Sequence, residues 1–428
     1  MVPLNKVAGL GLSLIFASVA PASPTPAEAL READAICRGD NGALWGVSLC
    51  GPLLLVDPGT RSVYGNQPGA ENQLKREGEL FVGHLPEQIN IANTAVDWAG
   101  TKWTMIMLPL SDAKDRRAAL MAHEMWHRIQ GEIGLPQTPA ENTHLDTRDG
   151  RFWLQLEWRA LTIALETSET ARKDAARDAA IFRARRRQLF PAAAKNEREL
   201  ELNEGLAEYT GVKLSGNPDL AGFVVRNELI DAPRQKTFVR SFAYATGPAY
   251  GLLLDETGAD WRQAVRERHD LAEFLMQRAG IQMPANIETA ANERAAKYGS
   301  VALGAEEDRR ETARRDLVKS YREKLVDGPI LIVPLHKMNM QFDPGNLVPI
   351  DSLGTVYPNL RVVDDWGVLT VTKGGALMSG DFSRVIVPAP KKIAQPVIDG
   401  DGWELRLNPG WSLTPGERKG DFAVRVER

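Results

Sequence analysis

His123 and His127 stand four residues apart, with Glu124 beside the first, in the segment AALMAHEMWHRIQ. On a helix, four steps of ~100° bring the two imidazoles to within ~40° of each other. Two neutral imidazoles are zinc ligands, and the adjacent carboxylate can take a proton from a zinc-bound water. Ala119, Ala122, Trp126 and Ile129 form a separate apolar stripe, so the ligand face need not be the core face. The competing reading is an ordinary surface helix that carries a His pair. A catalytic zinc needs a third protein ligand and an open fourth position.

Downstream lies Asn203-Glu204-Gly205-Leu206-Ala207-Glu208. Taken alone, Glu204 and Glu208 are an exposed, like-charged i, i+4 pair, slightly destabilising to a helix. HEMWH followed by NEGLAE resembles the gluzincin metallopeptidases, the clan of thermolysin and the zinc aminopeptidases. The resemblance implies one Zn2+ per chain, held by His123, His127 and Glu204. It implies Glu208 as the outer carboxylate that orients a ligating His, and Glu124 as the base that activates the water. A weaker likeness follows in FAYATGPAY, where the aminopeptidase branch has Tyr-x-x-Gly. It makes Tyr244 the hydroxyl donor to the oxyanion of the tetrahedral intermediate, with Tyr250 as the alternative donor. Zinc alone seldom carries all the developing charge, so the chemistry wants such a donor.

The likeness covers two motifs and part of a third. The separation from His127 to Glu204 is longer than in the aminopeptidases, which makes residues 131–195 an extra helical segment. The Gly-x-Met-Glu-Asn strand that captures a free amine is missing. KWTMIMLPL, residues 102–110, directly precedes the His-pair helix, where zincins keep the edge strand that pairs with an extended substrate. The expectation is an exported zinc metallopeptidase acting on a peptide or protein, an endopeptidase rather than an aminopeptidase. The alternative is a zinc-containing, non-proteolytic binding protein that works through its C-terminal β domain.

Other polar groups read as structure. The Arg183–Arg187 cluster reads as a solvated helix face, and Glu157 with Arg159 as a partly buried pair. His84, His144, His269 and His336 are isolated. Asp399-Gly400-Asp401-Gly402 lacks the ligands of a calcium loop and reads as a hairpin turn.

The 428 residues around these motifs ask for two or three domains, and their composition is that of a soluble globular chain. A net charge of −4 from 52 basic and 56 acidic residues excludes a polycationic nucleic-acid binder. Residues 1–22 read as a signal peptide: Lys6, an apolar run shorter than the ~20 residues of a membrane span, then Ala20-Pro21-Ala22. Ala27-Glu28-Ala29 is a second possible cleavage point, and an uncleaved anchor is the alternative. Cleavage leaves no stable membrane span and places the protein in the periplasm or outside the cell. There an even pair such as Cys37 and Cys50 is expected to form a disulfide.

Residues 23–35 are Pro/Ala-rich and read as loosely ordered, opening a strand-rich segment, 23–100. LLLV and SVYG flank Asp57-Pro58-Gly59 as a hairpin. Ser111-Asp112 caps the His-pair helix. Helices dominate the catalytic domain, 101–327, with single helices expected through NEGLAE to about Gly216, over Phe242 to Asp255 and from Trp261 to Gly280. After Asp327-Gly328-Pro329 the texture is β-rich, an antiparallel sandwich or barrel over 328–428. The fold class is α+β.

Overall fold

The computed structural model describes residues 23–427 except 139, 217–219, 259–260, 268 and 394–395. The expected leader, residues 1–22, lies outside the described residues. After one N-terminal helix the order is strands, helices, then strands, an α+β arrangement with no closed barrel among the described residues.

The segment expected to be loose is instead a helix, α1 (Pro26–Asp40). Thr25 and Glu28 form a reciprocal capping box, and Pro26 sits where its missing N–H costs nothing. Ala29, inside the second possible cleavage point, is wholly buried. Cys37 near the end of α1 is bridged to Cys50, with Cα atoms 5.0 Å apart.

Six strands follow: β1 (Leu53–Val56), β2 (Ser62–Gly65), β3 (Lys75–Glu77), β4 (Leu80–His84), β5 (Thr94–Trp98) and β6 (Thr101–Met107). β1 and β2 form the expected hairpin, with Leu55 opposite Tyr64. The sheet order is β3-β4-β2-β1-β6-β5. The strand before the His-pair helix, β6, is therefore not an edge. It pairs with β1 in parallel and with β5 antiparallel, and β5 holds the edge. Its run Trp103–Ile106 is wholly buried, which suits an internal strand.

The helical region begins with α2 (Lys114–Ile129). Ser111 and Asp112 do not cap it. The N-cap is Ala113, without a side-chain bond, and Arg117 instead donates to the carbonyls of Ser111 and Asp112. Next come α3 (Arg148–Glu166), α4 (Glu169–Leu189), α5 (Ala193–Leu200), α6 (Leu206–Leu214), α7 (Ala221–Asp231) and α8 (Phe242–Asp255). α5 and α6 are one rod joined by a wide π-type turn at Glu201–Gly205. The helix expected over Trp261 to Gly280 is broken. Asp270 caps a new helix, Leu271–Ala279, by accepting from the N–H groups of Ala272 and Glu273. Among the described residues no helix is long and apolar enough to cross a membrane.

Beyond Gly328 the chain forms a seven-stranded and a five-stranded sheet. Leu331, Val333, Val385 and Val387 of one share a core with Val362, Leu369, Trp403 and Leu405 of the other, so the region is a sandwich. It is not wholly antiparallel as expected, because strand Phe422–Val426 pairs in parallel with Ile330–Pro334. The Asp399–Gly402 stretch is the expected hairpin turn, with Asp399 paired to Glu404. Strand Asn339–Phe342 is the edge of the five-stranded sheet nearest the helical region.

Candidate metal centre

Two close approaches bring the chemistry together. A Cβ on Gly211 would lie 2.7 Å from the carbonyl oxygen of Ala119, so only glycine lets α6 press this closely on α2. A Cβ on Gly247 would lie 2.2 Å from the Cα of Gly205, so α8 crosses directly over the π-type turn. Behind α2, Trp45 meets Trp126 and Tyr209 edge-on and donates to Thr210, tying α2 to α6 through an apolar wall.

His123, His127 and Glu204 converge as a group that could hold a metal ion. The two Nε2 atoms are 3.1 Å apart. Glu204 Oε2 lies 3.7 Å from His123 Nε2 and 3.5 Å from His127 Nε2. Ligand atoms about 2.0–2.1 Å from one tetrahedral zinc stand about 3.3–3.4 Å from each other. The three separations bracket that edge length.

Proton placement agrees. His123 Nδ1 lies 2.9 Å from Glu208 Oε2, and an ionised carboxylate can only accept, so Nδ1 carries the hydrogen. His127 Nδ1 lies 2.6 Å from Gln130 Oε1, and the Gln130 amide is oriented by its own donation to the Leu135 carbonyl. With a proton on each Nδ1, both Nε2 atoms face one point where a metal ion could sit. Burial disfavours charge on His123, but Glu204 and Glu208 outweigh it and raise its pKa well above the usual imidazole range, so without a metal the same point favours a proton. Outer hydrogen bonds of this kind fix tautomer and ring orientation at metal sites.

Glu204 is gripped from its other side. Arg240 Nη2 donates to Oε1 at 2.9 Å, and Asn203 Nδ2 donates to the same oxygen at 3.2 Å. The Tyr244 hydroxyl donates to Oε2 at 2.6 Å, and its ring stacks on His123 at 5.7 Å. Burial works to raise the Glu204 pKa, but the pull of His123 and His127 and the charge of Arg240 prevail and hold it well below the usual carboxylate range. Glu124 behaves in the opposite way. It is 4% exposed, and burial pushes its pKa up against the pull of both histidines. Its Oε2 has no hydrogen-bond partner among the described residues.

The structure therefore assembles His123, Glu124, His127, Glu204, Glu208 and Tyr244. It does not bring Tyr250 to them. That hydroxyl is wholly buried and donates to Glu157 at 2.8 Å, under the Arg183 guanidinium. Gln130 and Arg240 went unrecognised in the sequence. Gln130 was legible, three residues after His127 on the same helix, whereas Arg240 carries no motif. The Arg183–Arg187 cluster is not a solvated face: Arg183 and Arg186 are buried, bonded to Glu157, Glu197 and Glu201. Glu157 and Arg159 are not a pair, since Arg159 donates to the Tyr298 carbonyl. His144 binds Glu197, His269 stacks on Phe274, His336 tilts against Trp411, and His84 is exposed. No protein-family model, curated protein or solved structure matches this chain.

Proposed function

We propose that the protein is a zinc metallopeptidase of gluzincin type, with zinc held by His123, His127 and Glu204. The observation that carries the reading is Glu124: a buried carboxylate oxygen with no hydrogen-bond partner among the described residues, beside three converging ligand atoms. A purely structural zinc site would have four protein ligands and no use for that group. Bound there, zinc supplies Lewis acidity, making water acidic enough to attack near neutral pH and polarising a carbonyl.

The chain's own residues do the rest. Glu124 accepts a proton from the water whose oxygen attacks the peptide carbonyl carbon, and returns it to the nitrogen as the C–N bond breaks. Burial raises its pKa, which suits a group that must both take and give a proton. The Tyr244 hydroxyl, beside the ligand oxygen of Glu204, is the donor to the developing oxyanion. The free edge of β5, packed near α2, is where an extended substrate can add a strand, which favours cleavage within a chain over trimming at its amino end. The Cys37–Cys50 bridge supports an exported protein.

The test is a peptide-library digest by zinc-loaded protein beside Glu124→Gln. Wild type should cleave internal bonds. The variant should keep one zinc and lose about 10²–10⁴-fold in kcat. A wild type that holds zinc and cleaves nothing would overturn the peptidase reading.

A further inference from the structure

Residues 237–240 form a seam between two cores. Asp146 is buried and accepts from the Thr237 hydroxyl and, at 2.9 Å, from the Phe238 N–H. Phe238 then enters the helical core, edge-on to Trp158 at 4.9 Å and beneath the Arg310 guanidinium at 4.4 Å. Val239, the next residue, belongs to the core of the C-terminal sandwich. Arg240 follows. It donates to Glu204 at 2.9 Å on one side and stands over the ring of Phe342 at 5.9 Å on the other. Phe342 ends the edge strand Asn339–Phe342 and is itself braced edge-on by Tyr357 at 5.0 Å.

The same strand is anchored at its start. Asn90, ahead of β5, donates to Asn339 at 3.1 Å, and Arg361 reaches across to Asn90 and to the Glu87 carbonyl. The sandwich edge is thus tied to the N-terminal sheet at one end and to Arg240 at the other. Burial pushes the Tyr357 hydroxyl up to about 12, with Glu141 adding to the shift and Arg240 opposing it, so the guanidinium acts on this wall as well.

These contacts give Glu204 a preferred orientation. A free carboxylate could offer either oxygen to the histidines. Arg240 and Asn203 occupy Oε1, which turns Oε2, with the Tyr244 hydroxyl bonded to it, toward His123 and His127. Asn203 is its sequence neighbour, but Arg240 reaches Glu204 only because the seam holds it there. A planar guanidinium over an aromatic face within ~6 Å gains cation–π attraction that an aliphatic residue cannot supply.

We infer that Arg240 is a positioning residue for the metal ligand Glu204, and that the C-terminal sandwich sets zinc affinity through the contact of Phe342 with Arg240. The inference rests on the metal-site reading above and gives the sandwich a role in the site itself. Changing outer partners of metal ligands typically reduces affinity 10–100-fold.

The test measures zinc affinity by chelator competition on the full chain, beside the thermal midpoint of the metal-free protein. Arg240→Gln should weaken zinc 10–100-fold, and Arg240→Lys should recover part of the loss. Phe342→Leu, which keeps apolar bulk but removes the ring face, should weaken zinc several-fold, and Phe342→Tyr should not. The metal-free midpoint should move little in Phe342→Leu. If Arg240→Gln and Phe342→Leu bind zinc as tightly as wild type while His127→Ala does not, the inference falls and the metal site stands. If wild type and His127→Ala take up zinc alike, the metal-site reading fails, and this inference with it.

Discussion

Two buried polar clusters share the helical region, and they solve the problem of buried charge in opposite ways. In one, Glu157, Glu197, Glu201 and Asp270 face the guanidiniums of Arg183, Arg186 and Arg187, with His144 and Tyr250 at the margins. In the other, Glu124, Glu204 and Glu208 face two imidazoles and, among the ion pairs of the described residues, Arg240 alone. Both draw on the same elements. Glu197 and Glu201 serve the first cluster, and Glu204 and Glu208 the second, from one helical rod. On an ideal helix at ~100° per residue these four carboxylates would fall within a ~60° stripe. The π-type turn at Glu201–Gly205 lies where the rod passes from one cluster to the other. Such turns recur at functional sites. On α8, Tyr250 donates to the first cluster and Tyr244 to the second. The cluster that supplies its own cations is structural. The cluster short of positive charge is the one whose residues could hold a metal ion.

Removing a cation from the balanced cluster should have the largest effect on stability. Arg186→Met leaves Glu197 and Glu157 with buried, under-compensated charge, and breaking such a pair costs about 3–5 kcal/mol. Urea unfolding measures it. The double change Arg186→Met with Glu197→Leu should recover part of the loss, because a well-packed apolar pair avoids the desolvation of both charges. A loss below ~1 kcal/mol for the single variant would mean that the network is a screened surface set after all.

The two tyrosines make the contrast sharper. In protein saturated with zinc, Tyr244→Phe should lower kcat by about 10²–10³-fold, or 3–4 kcal/mol, and raise KM less. Tyr250→Phe should leave turnover near wild type and lower stability by about 1.5–3 kcal/mol, the scale of a hydrogen bond to a charged group. If Tyr250→Phe cripples turnover at full stability, the division of roles is wrong.

Metal addition is the next smaller effect. A ligand that binds only the folded state stabilises it by about 2.7 kcal/mol at 100 times its Kd. Zinc should do this for wild type, and His127→Ala or Glu204→Ala should abolish the gain. Arg186→Met should still show it, from a lower starting stability. Equal zinc stabilisation in wild type and Glu204→Ala would mean that the third ligand is another group.

The comparison also explains what could be read from residue types alone. The convergence of His123, His127 and Glu204 was legible because helical geometry fixes the spacing of the two histidines, and NEGLAE repeats a pattern of matching chemistry. The hairpin at Asp57-Pro58-Gly59 and the change to β texture after Gly328 were legible for the same local reasons. The arginine network was not. RARRR has the composition of a solvated face, and its partners Glu157, Glu201 and Asp270 lie far along the chain, so only tertiary contact reveals the pairing. Arg240 was hidden likewise. Two errors were avoidable. Thr25-Pro26-Ala27-Glu28 is a capping box with Pro at the first helical position, and Asp270 is a ready N-cap that splits the later helix. The internal place of β6 could not be read locally, because an edge strand and a central strand differ in their neighbours.

Acid should separate the clusters with the smallest effect of the set, and the sign can be worked out. Metal binding needs neutral imidazoles and competes with protons for them, so zinc should leave as pH falls. The balanced cluster should outlast it. Asp270 is buried, yet the charges of Arg187 and Arg183 lower its pKa from 3.8 to about 2. A carboxyl depressed on folding contributes stability that is present above its unfolded value and lost as pH falls towards the folded one. At about 1.4 kcal/mol per unit, the Asp270 shift corresponds to roughly 2 kcal/mol, lost between pH ~4 and ~2. Glu197, held low by Arg186 and Arg187 against its burial, adds a loss of the same sign. Glu201 runs the other way, because burial raises its pKa despite Arg183. Urea midpoints of the zinc-free protein should therefore change little between pH 6 and 5 on account of this cluster, then fall below pH 4. Asp270→Asn should be less stable at pH 7 and show a shallower acid limb. If the acid limb of Asp270→Asn matches that of wild type, Asp270 does not hold its charge against Arg187 and Arg183, and the contrast between a self-neutralised cluster and a metal-requiring one loses its balanced half.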